Sequence, residues 1–397
     1  MKIRENVPIK ELTTMRMGGE ARYVVEVYTE EDVREAYEFA REKGLPVFIL
    51  GGGANTIGRD EGYEGVIILD KLKGVDFCEY TSSLNFSDYR SIDNSADSRR
   101  KSKSEASSQK SGGAEVVAVA DGDVSEAGEV LMTVAGGEVS EAGEVLMTVA
   151  GGEVWDEVVE QACARGLTGI EALSAIPGTA GAAPVQNIGA YGQEVGAVVE
   201  RVRAYNSKTG EVVTFRPEEM KFRYRKSIFN TEEAGRYFIL EVVLKLRRGE
   251  MAGPYYASLQ RYIDEHGETD FSPMGIRRIV REIRAGKLPD PEVEASAGSF
   301  FKNVYLDDEQ AEVARARGVK MWSGDGVNKV NAGWLIEAVG LRGAKMHGMR
   351  VSEKAALILI NEDAEGYADL AKAREEIRKK VRERFGYELE QEPVEVV

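Results

Sequence analysis

Residues 166–191, GLTGIEALSAIPGTAGAAPVQNIGAY, constrain this chain more than any other stretch. Gly or Ala fills many positions, Glu171 is the only carboxylate, and Pro177 and Pro184 break any long helix. Side chains this small let the backbone come very close to something flat or polyanionic. The same composition also suits a tight buried loop that holds nothing.

The bulk numbers narrow the choices. A chain of 397 residues is too long for one ordinary core, so two or three domains are expected. The net charge of -16 argues against a general affinity for nucleic acid or acidic membranes, yet leaves room for a local basic pocket. No apolar run approaches the roughly 20 residues that span a bilayer. The start, MKIRENVPIKELTT, has no apolar signal core, so a cytoplasmic protein without membrane insertion is expected. Two cysteines, Cys78 and Cys163, suit a reducing compartment. With two histidines, His266 and His347, and no cysteine pair at ligand spacing, no metal site is expected. A Ser-His-Asp triad would need one of those histidines, and neither lies in a nucleophile motif. Redox chemistry would come from a bound organic cofactor.

Residues 21–70 read as strand, helix, strand, loop, strand. Thr29 and Asp32 form a capping-box-like start, and Val33, Ala36, Tyr37 and Ala40 make one apolar helical face. Between the strands at 47–50 and 66–69 lies GGGANT, residues 51–56. Its glycines can present N–H groups to a phosphate or simply turn the chain. It is neither a P-loop nor the dinucleotide GxGxxG. Residues 81–113 contain 11 serines in 33 positions and few apolar anchors, which predicts a disordered or flexible surface loop. VSEAGEVLMTVAGGE then occurs twice, at 124–138 and 139–153. Two copies are too few for a solenoid. The second runs into Trp155 and an amphipathic helix, so it is the expected native strand, and 78–138 reads as an insertion. Beyond 191, a hairpin is expected around NSKTG, a strand end or cationic extended segment at FRYRKSIF (222–229), a strand at 238–246, a basic helix at 275–286, a helix-to-strand transition at 351–360, and a final helix with Leu370, Ile377, Val381 and Phe385 on one face.

Several motifs together resemble the UDP-N-acetylenolpyruvoylglucosamine reductase family over about residues 10–77 and 139–392. IPGTAGAAPVQNIGAYG resembles its flavin-cradling loop, and GGGANT its pyrophosphate loop, with Ala54 in place of the usual serine. TTMRMGG (13–19) resembles the family's NTFRxGG entry, departing at Thr13 and Met15. Tyr224, Arg225 and Ser227 match a YRxS motif, PYYASLQRYI resembles the tyrosine loop of one subtype, and SAGSFFKN (296–303) follows KLPDP as in the family. The tail LEQEPVEVV departs from LEPEV at Gln391 and Pro393.

The resemblance implies an α+β architecture: an FAD-binding PCMH-type two-subdomain fold over 1–249, a tyrosine loop and connecting helix over 250–288, and a smaller α+β substrate domain over 289–397. It implies FAD as cofactor, NADPH as hydride donor, a sugar-nucleotide substrate and a monomer. FAD would be held by Gly51, Gly52, Gly53, Ala54, Asn55 and Thr56, and by Ile176, Pro177, Gly178, Gly181, Gln186, Asn187, Gly189 and Tyr191. Arg225 would hold the substrate carboxylate, Ser299 would protonate C2, and Glu392 would be the catalytic glutamate. Tyr224, Tyr256, Lys287 and Asn303 would bind the substrate, although Tyr256 could equally be an ordinary packed aromatic. The alternatives are another PCMH-type FAD oxidoreductase, or a sugar-nucleotide-binding paralogue with impaired catalysis.

Overall fold

The computed structural model describes residues 1–80, 143–324 and 327–397. Of the expected insertion, Cys78 and Glu79 belong to a strand, while the serine-rich stretch and the first repeat copy lie outside the described residues.

The N-terminal sheet contains β1 (Lys2–Pro8), β2 (Glu20–Val27) and β3 (Val47–Leu50). After the short β4 (Thr56–Gly58), β5 (Tyr63–Asp70) enters the middle, giving the order β1-β2-β5-β3. β5 runs parallel to both β2 and β3. It is buried at nearly every position, as expected for a strand covered on both faces. Helix α1 (Glu30–Glu42) makes the crossover. Its start is the predicted capping box: Asp32 N–H donates to Thr29 Oγ1 at 3.1 Å and Thr29 N–H to Asp32 Oδ2 at 3.2 Å. The predicted face of Val33, Ala36, Tyr37 and Ala40 is buried.

A second, antiparallel sheet follows. Its order is Val212–Phe215, Val199–Asn206, Tyr237–Arg248, β7 (Glu144–Ala150) and β6 (Val75–Glu79). β7 comes from the second repeat copy, and six of its seven residues are buried. The helix Trp155–Cys163 packs on this sheet through Trp155, Val158, Val159 and Ala162. Trp155 satisfies its indole by donating to the Leu173 carbonyl at 3.1 Å.

The C-terminal part has its own core, around Phe300, Phe301, Leu335, Ile336, Leu370 and Ile377. A four-stranded sheet of Ser296–Ser299, Ile358–Asn361, Met349–Val351 and Lys345–Met346 packs against the helices Ala332–Ala338 and Tyr367–Phe385. The helix expected at the start of 351–360 is a turn. Ser352 Oγ accepts from the N–H groups of Lys354 and Ala355, and Ser352 N–H donates to the Ile358 carbonyl at 2.9 Å. A serine that captures the following amides starts a turn, and this overrides the helix propensity of the alanines behind it.

The two halves interlock. Met15, Met17 and Ile57, from the N-terminal motifs, are buried in the C-terminal core. In return, Val396 is buried among Val7, Ile9, Leu50 and Tyr63 of the first sheet. The strand Val394–Val396 pairs in parallel with β4, which begins at the last residue of GGGANT.

Candidate functional site

Two loops, at 51–55 and 175–182, face one another with almost no space between them. A Cβ on Gly51 would lie 2.7 Å from Thr179 Oγ1, and one on Gly52 would lie 2.9 Å from Gly178 Cα. Gly53 adopts φ +65, and a Cβ there would strike the Leu12 carbonyl. Only glycine fits such an approach. The buried hydroxyls of Thr179 and Thr13 have no hydrogen-bond partner among the described residues. Orphaned hydroxyls beside closely apposed glycine backbone are what a diphosphate would satisfy, so the residues present fit the FAD expected here. Gly53→Ala is therefore expected to fold, by circular dichroism, but to weaken FAD uptake by about tenfold or more, from about 1–2 kcal/mol of left-handed backbone strain plus the Leu12 collision. Wild-type FAD affinity, measured by flavin fluorescence quenching, would show that Gly53 does not shape the cradle.

The second loop is pinned from behind. Ala175 sits at φ +57, and its N–H donates to Asp156 Oδ1 at 2.5 Å. Asp156 also receives Arg277 and Arg281 from the helix Pro273–Lys287, each at 3.0 Å to Oδ2. One carboxylate thus ties the start of the helix Trp155–Cys163 to the IPG turn and to the basic helix.

A cleft of about 810 Å³ opens beside these loops. Six predicted cofactor residues line it: Ala54, Asn55, Ile176, Pro177, Gln186 and Gly189. Arg225, Ser299 and Glu392 line it as well, although they come from three distant parts of the chain. Asn55 and Gln186 join across the cradle through Asn55 Nδ2 donating to Gln186 Oε1 at 2.8 Å.

Arg225 does not lie on the expected extended segment. Arg223 and Lys226 exchange two backbone hydrogen bonds of 2.9 Å, making a tight turn, and Arg225 adopts φ +53 within it. Local side-chain bonds hold that unfavourable backbone. Asn230 Nδ2 donates to the Arg225 carbonyl at 3.0 Å, while Asn230 Oδ1 accepts from Ser227 N–H at 2.9 Å. Ser227 Oγ donates to the Val185 carbonyl at 2.7 Å, fastening the turn to the flavin loop. The guanidinium donates from Nε to Glu392 Oε1 at 3.0 Å and from an NH2 group to the Gly189 carbonyl at 3.1 Å. It retains further donors for a ligand carboxylate.

Ser299 ends its strand after an irregularity. Ser296 opposes Ile360 and Ser299 opposes Ile358, so one extra residue is accommodated between them, with Gly298 at φ +68. A bulge of this kind re-aims a side chain at the strand end. Glu392 is almost wholly enclosed. Burial pushes its carboxyl above the usual glutamate range, and the opposing pull of Arg225 and Lys302 is too weak to cancel it.

The other predicted residues stand outside the cleft lining. Gly51, Gly52, Gly53, Gly178 and Gly181 form the tight backing of the cradle. Thr56 begins β4 and pairs with Val394. Asn187 is buried at φ +45, where its Oδ1 accepts from Gly196 N–H at 2.9 Å and its Nδ2 donates to Glu194 at 2.7 Å. Tyr191 and Tyr256 pack edge-on with centroids 6.2 Å apart, and Tyr256 is 48% exposed. Asn303 donates to the Tyr224 hydroxyl at 3.2 Å and accepts from Ala332 N–H at 3.1 Å, linking the two halves. Lys287 is exposed at the end of its helix. Arg284, about one helical turn earlier, lines the cleft instead; its Nε is buried without a partner among the described residues. Arg284 and Lys354 were missed from sequence. The turn spacing back from Lys287 could have flagged Arg284, but nothing marks Lys354.

Comparison with known proteins bears on the family and the fold. Residues 290–396 match the family described as UDP-N-acetylenolpyruvoylglucosamine reductase, C-terminal domain, and residues 21–84 with 112–216 match an FAD binding domain. The chain is 33% identical over 400 residues to UDP-N-acetylenolpyruvoylglucosamine reductase of Pseudomonas aeruginosa, covering 99% of this chain and 98% of the relative. It is 32% identical over 391 residues to the enzyme of that name from Ralstonia nicotianae, covering 98% and 97%. The crystal structure of the Thermus caldophilus reductase superposes with a TM-score of 0.58 at 21% identity, covering 99% of each chain, which shows a shared fold.

Proposed function

This chain belongs to the UDP-N-acetylenolpyruvoylglucosamine reductase family, and from that premise we propose how its own side chains carry the reaction. Bound FAD supplies a two-electron relay, from NADPH to C3 of the enolpyruvyl group of UDP-N-acetylglucosamine enolpyruvate, giving UDP-N-acetylmuramate for peptidoglycan synthesis.

Hydride arrival at C3 drives negative charge onto the C2–carboxylate unit. Arg225 meets that charge with a planar, multi-donor cation held by a preset backbone. Ser299 delivers the proton to C2, so product gains one hydride and one proton. A serine is a weak acid, so it serves only against a strongly basic centre held close. Glu392 fixes the guanidinium through its Nε and Gly189 through one NH2 group, and the remaining donors are left to the substrate. Lys287, Asn303 and Tyr224 are proposed to bind the nucleotide portion, with Tyr256 covering it. Arg284 and Lys354 add positive charge along the cleft. Among the described residues no group of His, Cys, Asp and Glu could hold a metal ion, and no helix is long and apolar enough to cross a membrane. The free thiols of Cys78 and Cys163 favour a cytoplasmic setting.

The observation that supports this reading is the convergence of Arg225, Ser299 and Glu392 on one cleft against the glycine cradle. The test is anaerobic spectroscopy of the FAD-loaded protein. Its flavin absorbance is expected to bleach with NADPH and return when UDP-N-acetylglucosamine enolpyruvate is added. Bleaching without recovery would reject the reductase reading, and bleaching by a simple alcohol with recovery on admitting oxygen instead would favour an oxidase-like relative.

A further inference from the structure

The catalytic glutamate is carried by a tail that changes partners at that residue. Before it, the tail bonds to the C-terminal half: Lys302 N–H donates to the Glu390 carbonyl at 2.8 Å, and Glu392 N–H to the Phe300 carbonyl at 2.9 Å. After it, Val394 N–H donates to the carbonyl of Asn55, in the GGGANT loop, at 2.9 Å. Pro393 lies at the switch, where the lack of an N–H leaves no donor stranded. Backbone bonds hold the tail on either side of the switch, and Arg225 is the side chain that bonds the Glu392 carboxylate, so the register of the segment after Pro393 bears directly on where that carboxylate sits.

Glu395 sits three residues on and gathers donors from three parts of the chain. Arg59, next to β4, donates from Nε at 2.8 Å and from an NH2 group at 2.5 Å to Oε2. Tyr367 Oη and Arg374, both on the terminal helix, donate to Oε1 at 2.8 Å each. Gln391 Nε2, from the tail itself, adds a bond of 3.2 Å, and Gln391 Oε1 accepts from Arg374 at 2.7 Å. Asp60, adjacent to Arg59, accepts from Tyr367 N–H at 2.7 Å and Ala368 N–H at 3.0 Å. Arg59 and Asp60 thus grip the tail and the terminal helix as a pair.

We propose that Glu395 is a positioning residue for the reaction: its clasp with Arg59, Tyr367, Arg374 and Gln391 sets the tail register that presents Glu392 to Arg225. The proposal rests on the reductase reading and adds to it a residue that touches neither substrate nor cofactor. Burial alone pushes the Glu395 carboxyl up, but its bonds from Arg59, Tyr367, Gln391 and Arg374 outweigh that and hold it low. The clasp therefore stays charged at neutral pH and is lost only when acid protonates Glu395 below the ordinary glutamate range.

The test is Glu395→Gln in the full-length FAD-loaded protein, which keeps shape and removes charge. NADPH-dependent bleaching is expected within about twofold of wild type, while recovery with UDP-N-acetylglucosamine enolpyruvate slows about tenfold to a hundredfold from misplacement. The charged groups that influence Glu392 are Arg225, which bonds it, and Lys302; the phenol of Tyr224 lies near as well. Losing the Arg225 contact leaves burial less opposed, so the Glu392 ionisation seen in the pH profile of the recovery step is expected to move upward. Hydrogen exchange at the amides of residues 392 and 394 is expected to quicken, a readout independent of turnover. Wild-type recovery rate and pH profile in Glu395→Gln would overturn the proposal. So would equal slowing of both half-reactions with the ionisation unmoved, which would mark general destabilisation. Glu392→Gln is the control. If it slows recovery while Glu395→Gln does not, only the positioning role fails; if wild type itself does not recover, the reductase reading fails.

Discussion

Ser299→Ala is expected to bleach with NADPH at a rate within about twofold of wild type and to recover with substrate about 10²–10⁴-fold more slowly, the range for loss of a positioned proton donor. The separation follows from where the residue acts. NADPH oxidation needs no proton at C2, so the first half-reaction has no use for the hydroxyl. In the second, the proton must reach a carbanion-like centre from one direction, and the bulge at 297–298 is what turns Ser299 into the cleft. Replacing Oγ by hydrogen removes one small group at a partly exposed position, so the strand is expected to hold. Substrate binding measured by flavin difference spectra should change little. Equal loss of both half-reactions would refute the proton-donor role.

Arg225→Lys is expected to be nearly as damaging, although it preserves charge. Recovery should slow about 10²–10³-fold, as for a lost oxyanion-stabilising donor, and substrate should bind more weakly. The side chain meets Glu392 through Nε and Gly189 through an NH2 group at once. An ammonium is a point charge and cannot engage both while also meeting a carboxylate in plane. The variant also leaves the buried Glu392 without its bonded partner. Because burial raises that carboxyl and Arg225 opposes the rise, the pH profile of recovery should shift upward. A lysine variant with unchanged rate and affinity would remove Arg225 from the carboxylate site.

Much of the site was legible because its motifs encode backbone chemistry. Glycines at 51–53 and 178 announce a close approach, and the structure has it: Cβ atoms on Gly51, Gly52 and Gly53 would collide, the one on Gly52 with Gly178 Cα. Helical spacing located α1 and the terminal helix because burial on one face leaves a period in the sequence, whereas β7 was placed by the second repeat copy running into Trp155 and its helix. The errors fall where a single side chain redirects the backbone. Ser352 turned an expected helix into a loop, and Asn230 holds Arg225 in a left-handed turn where alternation suggested an extended strand.

Taken alone, the amino-acid order determined the cofactor class, the family resemblance and most element types, since these depend on residues close together in the chain. Which groups face each other was decided only by the tertiary structure. Arg225 and Glu392 are 167 positions apart, and no local pattern encodes a hydrogen bond across that separation. The departure of the tail from LEPEV has the same explanation: Pro393 and Glu395 make sense only once the tail is seen crossing from Phe300 to Asn55, where one residue needs no N–H and the other meets Arg59 and Arg374.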